Sequence, residues 1–313
     1  MPTVSICIPA YKQLEYLKKC LDSVLEQDYK DFELIISDDT PDNSVEKFVA
    51  SVLKEQAFIY KRNESAMGSP GNWNAAVKMA SGKYIKILHH DDFFTQTDSL
   101  SLMVDEIEKQ KVSFLFCQTD VWDVKNNLNR IHKISSKQFR LLKKHPEILF
   151  FKNVIGAPSA TLYINNKAFT YDPKFKWLVD IDLYMQYLFH AQKIAYLELP
   201  LVCTANETEG QVTGTVINDK AIQVKEHVLL FNKINKYKIN EKGFADFFDY
   251  LFFKYDIRSY TDLEKIVSEA NENKLFFKKV IGTISHNRSW KWLKKRFFES
   301  RYNNYIFKFE QFI

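Results

Sequence analysis

Aspartates come in close pairs at three places in the first two-thirds of this 313-residue chain. Asp38 and Asp39 follow a short apolar segment, as do Asp91 and Asp92, and a third pair lies in a segment with helical spacing. Carboxylates can bind a hard divalent cation, accept hydrogen bonds from a polar ligand, or take a proton from a reacting group. The chain therefore carries side chains suited to metal-assisted or acid–base chemistry.

The segments before the first two pairs have the spacing of strands that alternate with helices. Val4 to Pro9 is a β-branched run stopped by proline, and the apolar residues after it repeat at helical spacing. Further strand patterns cover Glu33 to Ser37, Ala57 to Tyr60 and Lys83 to Leu88. This alternation predicts right-handed βαβ crossovers and a mostly parallel sheet. Since ligands collect at the carboxyl ends of such strands, four carboxylates would meet at one edge, where a cation or a sugar-nucleotide could bind.

The pattern changes near residue 210. Strand patterns continue at Val112 to Cys117, Ala160 to Ile164 and Ile194 to Val202, and Asp180 to Phe189 has helical spacing. From about Val216 onward the alternation stops, and segments dense in Phe, Tyr, Lys and Asn favour helices. We therefore predict an α/β domain over residues 1–210 and a helical, basic-aromatic extension over residues 211–313.

Three segments of the chain resemble inverting family-2 glycosyltransferases. They are VSICIPAYKQLEYLKKCLDSVLEQDYKDFELIISDDTPDNS, GNWNAAVKMASGKYIKILHHDD and WLVDIDLYMQYL, and they cover most of residues 3 to 190 in the order that the family shows. The resemblance implies a GT-A fold, which is a Rossmann-like, mostly parallel sheet flanked by helices. It also implies a nucleotide-sugar donor and a divalent cation, Mg²⁺ or Mn²⁺, that bridges the donor diphosphate.

The metal ligand that the resemblance implies is Asp91, the last acid of the family's Asp-x-Asp motif. The first acid of that motif is His89 in this chain, so we expect one direct carboxylate, aided by His90 or Asp92 through water. The alternative is that Asp91 and Asp92 only cap the helix that follows.

The nucleotide site that the resemblance implies lies at the ends of the first two strands. Asp39 would accept a hydrogen bond from the base, as a carboxylate suits the N–H edge of uracil, and Pro9, Ala10 and Tyr11 would form the wall beside it. His90 is also expected to bind the nucleotide, and Asp38 and Asn74 are expected to support the site. Taken alone, DDTPDNS is also an ordinary Asx-turn or helix cap.

Asp180 is the candidate general base. In an inverting single displacement the acceptor hydroxyl attacks the anomeric carbon, and one carboxylate takes its proton. Asp182 is expected to face the helix surface or to hold the acceptor, and Trp177 to stack on a sugar ring. The family often has an acid immediately before the base, whereas this chain has Val179. The alternative for Asp180 is that it is a helix cap or a first-turn acid favoured by the helix dipole. The alternative for Trp177 is ordinary core packing.

From these features we predict an enzyme that transfers a sugar, most simply from a UDP-sugar, to a glycan or lipid-linked acceptor. Its expected role is in bacterial surface polysaccharide or lipopolysaccharide synthesis. A nucleotidyltransferase is an alternative, but IPAYKQ is not the glycine- and lysine-rich phosphate loop that such an enzyme normally has after its first strand. A non-catalytic sugar-nucleotide-binding module of the same fold is a third possibility, suggested by His89.

The basic character of the chain is concentrated at its end. Lys274 to Ile313 contains ten Lys/Arg and two Asp/Glu, although the whole chain has a net charge of only +5. Trp290, Trp292 and Phe297 alternate there with basic residues, which suits a helix in an anionic lipid headgroup layer. The same aromatics could instead cover the protein's own core. A nucleic-acid partner is not expected, because no other part of the chain forms a basic groove.

The sequence shows neither the pattern of a membrane-spanning helix nor that of a secretory signal. No apolar run approaches the ~18–20 residues of a membrane-spanning helix. The first residues lack the basic and long apolar regions of a secretory signal. We therefore expect a cytoplasmic protein whose tail is a candidate contact with the inner face of the cell membrane.

Overall fold

The computed structural model describes residues 1–54, 56–191, 193–206, 216, 218–237 and 241–283. Most of the predicted basic-aromatic tail, from residue 284 onward, lies outside the described residues.

Within these ranges, nine strands form one mixed sheet. They are β1 (Val4–Ala10), β2 (Phe32–Asp38), β3 (Phe58–Arg62), β4 (Tyr84–Ile87), β5 (Phe93–Phe94), β6 (Phe114–Asp123), β7 (Leu128–His132), β8 (Thr161–Ile164) and β9 (Ala195–Asn206). The strand order is β3-β2-β1-β4-β8-β6-β9-β5, and β7 pairs with β6. Two strands were not predicted from the sequence: β5 has only two residues, and the side chains of β7 are largely exposed and therefore carry no apolar pattern.

The direction of the strands decides where the acidic pairs meet. β1 to β4 are parallel to one another, and β6 is parallel to β9. Because β8 runs antiparallel to both β4 and β6, the parallel groups point the same way. The carboxyl ends of β1, β2, β4, β6 and β9 therefore share one edge of the sheet.

In the part of the chain that the structure describes, five helices flank this sheet and bury its apolar faces: α1 (Leu14–Leu25), α2 (Ser44–Val52), α3 (Gly68–Met79), α4 (Ser99–Gln110) and α6 (Val179–His190). The other α-helices within the described ranges are α5 (Ser136–Lys144), α7 (Lys220–Asn235), α8 (Glu241–Lys254), α9 (Tyr260–Ile266) and α10 (Lys274–Thr283). In α1, Leu17, Leu21 and Val24 repeat on one face and are fully buried, as are Ile6 and Ile8 of β1 in the same apolar core. Burying such side chains is worth about 1.5–3 kcal/mol each. The α/β class, with C-terminal helices, is confirmed.

The chain divides into two compact units. Unit 1 comprises Met1–Ser135 and Val154–Gln211, and unit 2 comprises Ser136–Asn153 and Val212–Ile313, in the part of each range that the structure describes. The predicted boundary at residue 210 lies beside the last of these transitions. Residues 136–153, which include α5, were not part of the predicted extension.

Unit 2 has a core made largely of phenylalanine. Phe231 of α7 contacts Phe244 and Phe248 of α8 at ring-centroid distances of 5.4 Å, and Phe277 of α10 at 5.6 Å. Phe150, from the short 3₁₀ helix Pro146–Phe150, contacts Phe244 at 4.8 Å. This explains why segment 136–153 belongs to unit 2, since its aromatic side chains complete that core.

Candidate active site

The loop after β4 carries His89 to Asp92 and is fixed at several points within unit 1. The His89 amide donates to Ser159 Oγ (3.0 Å), and Cys20 Sγ of α1 lies 3.6 Å from the His89 carbonyl oxygen. The Asp92 amide donates to the same carbonyl (2.9 Å), which closes a tight turn. Ser159 lies on the short 3₁₀ helix Pro158–Ala160, so contacts from distant parts of the chain hold the loop at the sheet edge.

His89, Asp91 and Asp92 form a cluster that could hold a metal ion. One potential ligand atom from each lies within 4.8 Å of the others. The Asp92 carboxylate is almost fully buried: its Oδ1 accepts a hydrogen bond from the Ala205 amide of β9 (3.0 Å), and its Oδ2 lies 3.8 Å from His89 Nδ1. Carboxylate and imidazole donors fit a divalent cation. The alternative that these acids only cap a helix is not realised, since β5 follows them.

A buried lysine lies beneath this cluster. Lys86 of β4 is fully buried and donates to the Ser159 carbonyl oxygen. Burial lowers the pKa of Lys86 to about 8, with the Asp92 carboxylate among the charges that oppose the shift. Burial and the charge of Asp91 raise the pKa of Asp92, and burial lowers the pKa of His89 to about 4. His89 is therefore a neutral imidazole at pH 7, the form that binds metals.

His90 points away from this cluster, toward the start of α1. Its Nδ1 lies 3.2 Å from the Pro9 carbonyl oxygen and its Nε2 lies 2.9 Å from Gln13 Oε1. Both partners are oxygen atoms that can only accept, so a neutral ring donates from Nδ1 to Pro9 and pairs with Gln13 through the amide NH₂ group of a turned Gln13 side chain. A nucleotide contact by this ring stays a prediction, and it would have to compete with Gln13.

The two acids after β2 have different partners. Asp38 is fully buried, and its two carboxylate oxygens accept from the Thr40 amide (2.8 Å) and the Tyr60 hydroxyl (2.7 Å). The bond to Thr40 is the Asx-turn that the sequence offered as an alternative. Asp39 instead accepts from Asn63 Nδ2 (2.7 Å) and the Gly68 amide (2.7 Å). Asp38 thus shapes the turn, while Asp39 ties the end of β2 to the start of α3.

The predicted wall of the nucleotide site lies beside Asp39. The Ala10 carbonyl oxygen accepts from the Asp39 amide (3.0 Å) and from Asn72 Nδ2 (3.1 Å). Pro9 and Ala10 are buried at the end of β1, whereas Tyr11 is exposed, with Lys12 Nζ 5.0 Å from the centroid of its ring. The structure therefore brings Pro9, Ala10, Tyr11 and Asp39 together. Their role in binding a base stays a prediction.

Two neighbouring residues of α3 connect the metal-motif loop with the segment before α6. The Trp73 ring lies 4.6 Å from the His89 ring and 5.1 Å, edge-on, from the Tyr171 ring, measured between centroids. Asn74 Nδ2 donates to the Tyr171 carbonyl (2.7 Å), and its Oδ1 accepts from the Tyr171 amide (3.1 Å). The Asn74 side chain therefore fixes the backbone at Tyr171. Trp73 could not be identified as a site residue from the sequence, because an aromatic residue on a helix has the same pattern in a binding site as in a core.

Asp180 lies in the first turn of α6, whose N-cap is Leu178. Its Oδ1 accepts from the Ile181 amide (2.9 Å), and its charge raises the pKa of the buried Tyr171 and Tyr184, although burial is the larger cause. Ring contacts thus link His89, Trp73 and Tyr171, and the charge of Asp180 acts on Tyr171. The helix dipole favours an acid here, so the first-turn alternative also fits this position.

The residues on either side of Asp180 differ in exposure. Asp182 is buried and accepts from Gln186 Nε2 (2.9 Å), so the expectation that it faces the helix surface is wrong. Trp177 is half-buried, which is compatible with a ring that packs on one face and meets a ligand on the other.

A comparison with known families decides the identity of the fold. The family model for Glycosyl transferase family 2 matches residues 5–169, more than half of the chain. The chain belongs to glycosyl transferase family 2. The matched residues include the ends of β1 and β2, α3 and the metal-motif loop, whereas Asp180 lies beyond them.

Individual relatives of this family-2 chain are distant. The Escherichia coli protein WfaP, named a UDP-Glc:α-D-GlcNAc-diphosphoundecaprenol β-1,3-glucosyltransferase, is 33% identical over 116 residues, which are 37% of this chain and 45% of WfaP. Staphylococcus aureus TarS, solved with UDP-GlcNAc, superposes with a TM-score of 0.60 at 15% identity over 93% of this chain and 79% of the TarS chain.

A second solved structure adds a metal ion to this comparison. The mannosyltransferase PcManGT of Pyrobaculum calidifontis, solved with GDP-Man and Mn²⁺, has a TM-score of 0.53 at 13% identity, covering 94% of this chain and 84% of that one. The predicted GT-A fold and the assignment as a nucleotide-sugar glycosyltransferase are confirmed.

Proposed function

We propose that this family-2 enzyme transfers the sugar of a UDP-sugar to a hydroxyl group of a glycan or lipid-linked acceptor, with inversion at the anomeric carbon. The observation that carries the proposal is the placement of the His89, Asp91 and Asp92 cluster at the carboxyl edge that also holds Asp39. This edge is where an open α/β sheet binds its ligand.

The donor would lie across the ends of β1, β2 and β4. Asp39 and the Pro9–Tyr11 segment would receive the base, and Asp91 would hold a divalent cation, Mg²⁺ or Mn²⁺. A bound cation would offset the negative charge that grows on the diphosphate as the glycosidic bond breaks. Asp92, nearly fully buried and fixed by Ala205, supports the loop from below.

The acceptor would approach from the side of α6. Asp180 would take the proton of the attacking hydroxyl. This role is supported by the effect of the Asp180 charge on Tyr171, whose ring contacts Trp73, which in turn lies against His89. A direct displacement needs no enzyme nucleophile, so one carboxylate is sufficient for the proton transfer. Trp177 would stack on a sugar ring of the acceptor or donor.

The substrate class is supported by the names of relatives. WfaP and WfgD of Escherichia coli are both named as glucosyltransferases that use UDP-Glc and a diphosphoundecaprenol-linked acceptor, and TarS was solved with UDP-GlcNAc. A lipid-linked acceptor and a role in bacterial surface polysaccharide synthesis follow as part of the proposal. No helix within the described ranges is long and apolar enough to cross a membrane. We propose a cytoplasmic enzyme that reaches its acceptor at the membrane surface.

Sugar-nucleotide binding and turnover test this function together. A panel of UDP-Glc, UDP-GlcNAc, UDP-Gal and GDP-Man should be screened with Mn²⁺ for thermal stabilisation and for slow hydrolysis of the donor. We expect one UDP-sugar to raise the unfolding temperature only with the cation, and to be hydrolysed. Stabilisation without hydrolysis or transfer would indicate a binding module, and stabilisation by GDP-Man alone would overturn the UDP assignment. A transfer product that keeps the donor's anomeric configuration would exclude the single displacement.

A further inference from the structure

His89 occupies the position of the first acid in the Asp-x-Asp metal motif of family-2 glycosyltransferases. Its backbone and its ring are both held by neighbouring residues. The backbone amide is bonded to Ser159, and the ring lies against Trp73 with a tilt of 37° between the two planes. Side-chain exposure is 19%, so the imidazole has little freedom to reorient. These contacts fix the position of the His89 ring, as is expected for a side chain that binds a ligand.

One nitrogen of this ring has no protein partner. Among the described residues, His89 Nε2 is buried and makes no hydrogen bond. Buried polar atoms are almost always paired, because leaving one unpaired costs stability. A buried, unpaired nitrogen on a member of the His89, Asp91 and Asp92 cluster therefore indicates a ligand for the imidazole.

The other nitrogen faces a carboxylate. His89 Nδ1 lies 3.8 Å from Asp92 Oδ2, and Asp92 is fixed by its bond to the Ala205 amide. Histidines that bind metals generally offer the second ring N–H to a carboxylate, which sets the tautomer and the direction of the ring. At 3.8 Å the His89–Asp92 pair is longer than a hydrogen bond, but Asp92 lies on the side of the ring where such an orienting carboxylate acts.

We propose that His89 Nε2 binds the divalent cation directly, together with Asp91, and that this nitrogen ligand makes the site prefer Mn²⁺ over Mg²⁺. The inference rests on the proposed function, because it assumes that the cluster binds a metal with the donor nucleotide. Mg²⁺ prefers oxygen ligands and retains its waters, whereas imidazole suits the first-row transition metals. Asp92 and Trp73 are positioning residues for the ring.

Pulsed electron paramagnetic resonance tests this ligand without relying on activity. Full-length protein labelled with ¹⁵N-histidine would be loaded with UDP and Mn²⁺, and the spectrum searched for ¹⁵N coupling to the ion. We expect coupling from one histidine, which disappears in His89→Gln and persists in the matched control His190→Gln, whose ring is exposed at the end of α6. A metal-loaded spectrum without histidine coupling would overturn the assignment.

Metal competition provides the second measurement. Calorimetry in the presence of UDP should show that His89→Gln weakens Mn²⁺ binding by about tenfold or more, and that Asp92→Asn has an effect of similar size. His89→Asp should shift the preference toward Mg²⁺. An unchanged Mn²⁺ to Mg²⁺ affinity ratio in His89→Asp would refute the preference. If Asp91→Ala abolishes metal binding while His89→Gln does not, the proposed function stands and the role of His89 fails. If no cation binds with UDP to the wild type, both fail.

Discussion

His227 gives the C-terminal unit a predictable sensitivity to acid. Its ring lies in the phenylalanine core, with centroids 4.9 Å from Phe247 and 5.4 Å from Phe150, and its Nδ1 lies 2.7 Å from the Gln223 carbonyl oxygen. Burial lowers the pKa of His227 to about 4, the nearby Lys254 adds to the decrease, and the bond to Gln223 opposes it. The ring is therefore neutral in the folded protein at pH 7.

The expected size of the effect follows from the two pKa values. In the unfolded chain the His227 pKa is about 6.5, so between pH 6.5 and pH 4 the unfolded state binds a proton that the folded state does not. The stability contributed by the neutral ring is present above pH 6.5 and is lost as the pH falls toward 4. At about 1.4 kcal/mol per pKa unit, the loss is about 3 kcal/mol.

Replacing the ring with one that does not titrate isolates this contribution. We expect the free energy of unfolding of the wild type to fall by about 3 kcal/mol relative to His227→Phe between pH 7 and pH 4. Guanidinium unfolding followed by circular dichroism would give these energies, and hydrogen exchange of α7 would localise them to unit 2. The exposed His190→Phe should change nothing. A difference between wild type and His227→Phe that is the same at both pH values would refute this reasoning.

Four further predictions concern the site and the tail. Asp91→Ala should remove Mn²⁺-dependent UDP binding in calorimetry, and wild-type affinity in that variant would exclude Asp91 as ligand. Asp180→Asn should leave donor affinity nearly intact but slow transfer by at least ~100-fold, whereas equal rates at saturating acceptor would show that another group takes the proton. Asn74→Ala should lower the free energy of unfolding by about 2 kcal/mol, because two hydrogen bonds to Tyr171 are lost; unchanged denaturant midpoints would contradict this. Truncation at Ser285 should reduce sedimentation with anionic vesicles at low salt, and the membrane proposal fails if the full-length protein also stays in the supernatant.

The amino-acid sequence determined the type of fold and the edge at which the acids meet. Alternating strand and helix patterns encode which face of each element is buried, and parallel strands must end at a common edge. Asp38, Asp39, Asp91 and Asp92 could therefore be placed together before any contact was known. The roles assigned to Asp39, Asp91 and Asp180 came from the family resemblance, not from periodicity.

Only the tertiary structure decided what each acid does. Asp92 is turned toward Ala205, 113 residues away, and Asp38 toward Tyr60, so neither is as open to a ligand as its position suggested. Trp73 and Lys86 gave no signal in the sequence, because a helical aromatic and a strand lysine have many ordinary uses. Local patterns record burial along one element, whereas the partners of a side chain depend on which distant elements pack against it.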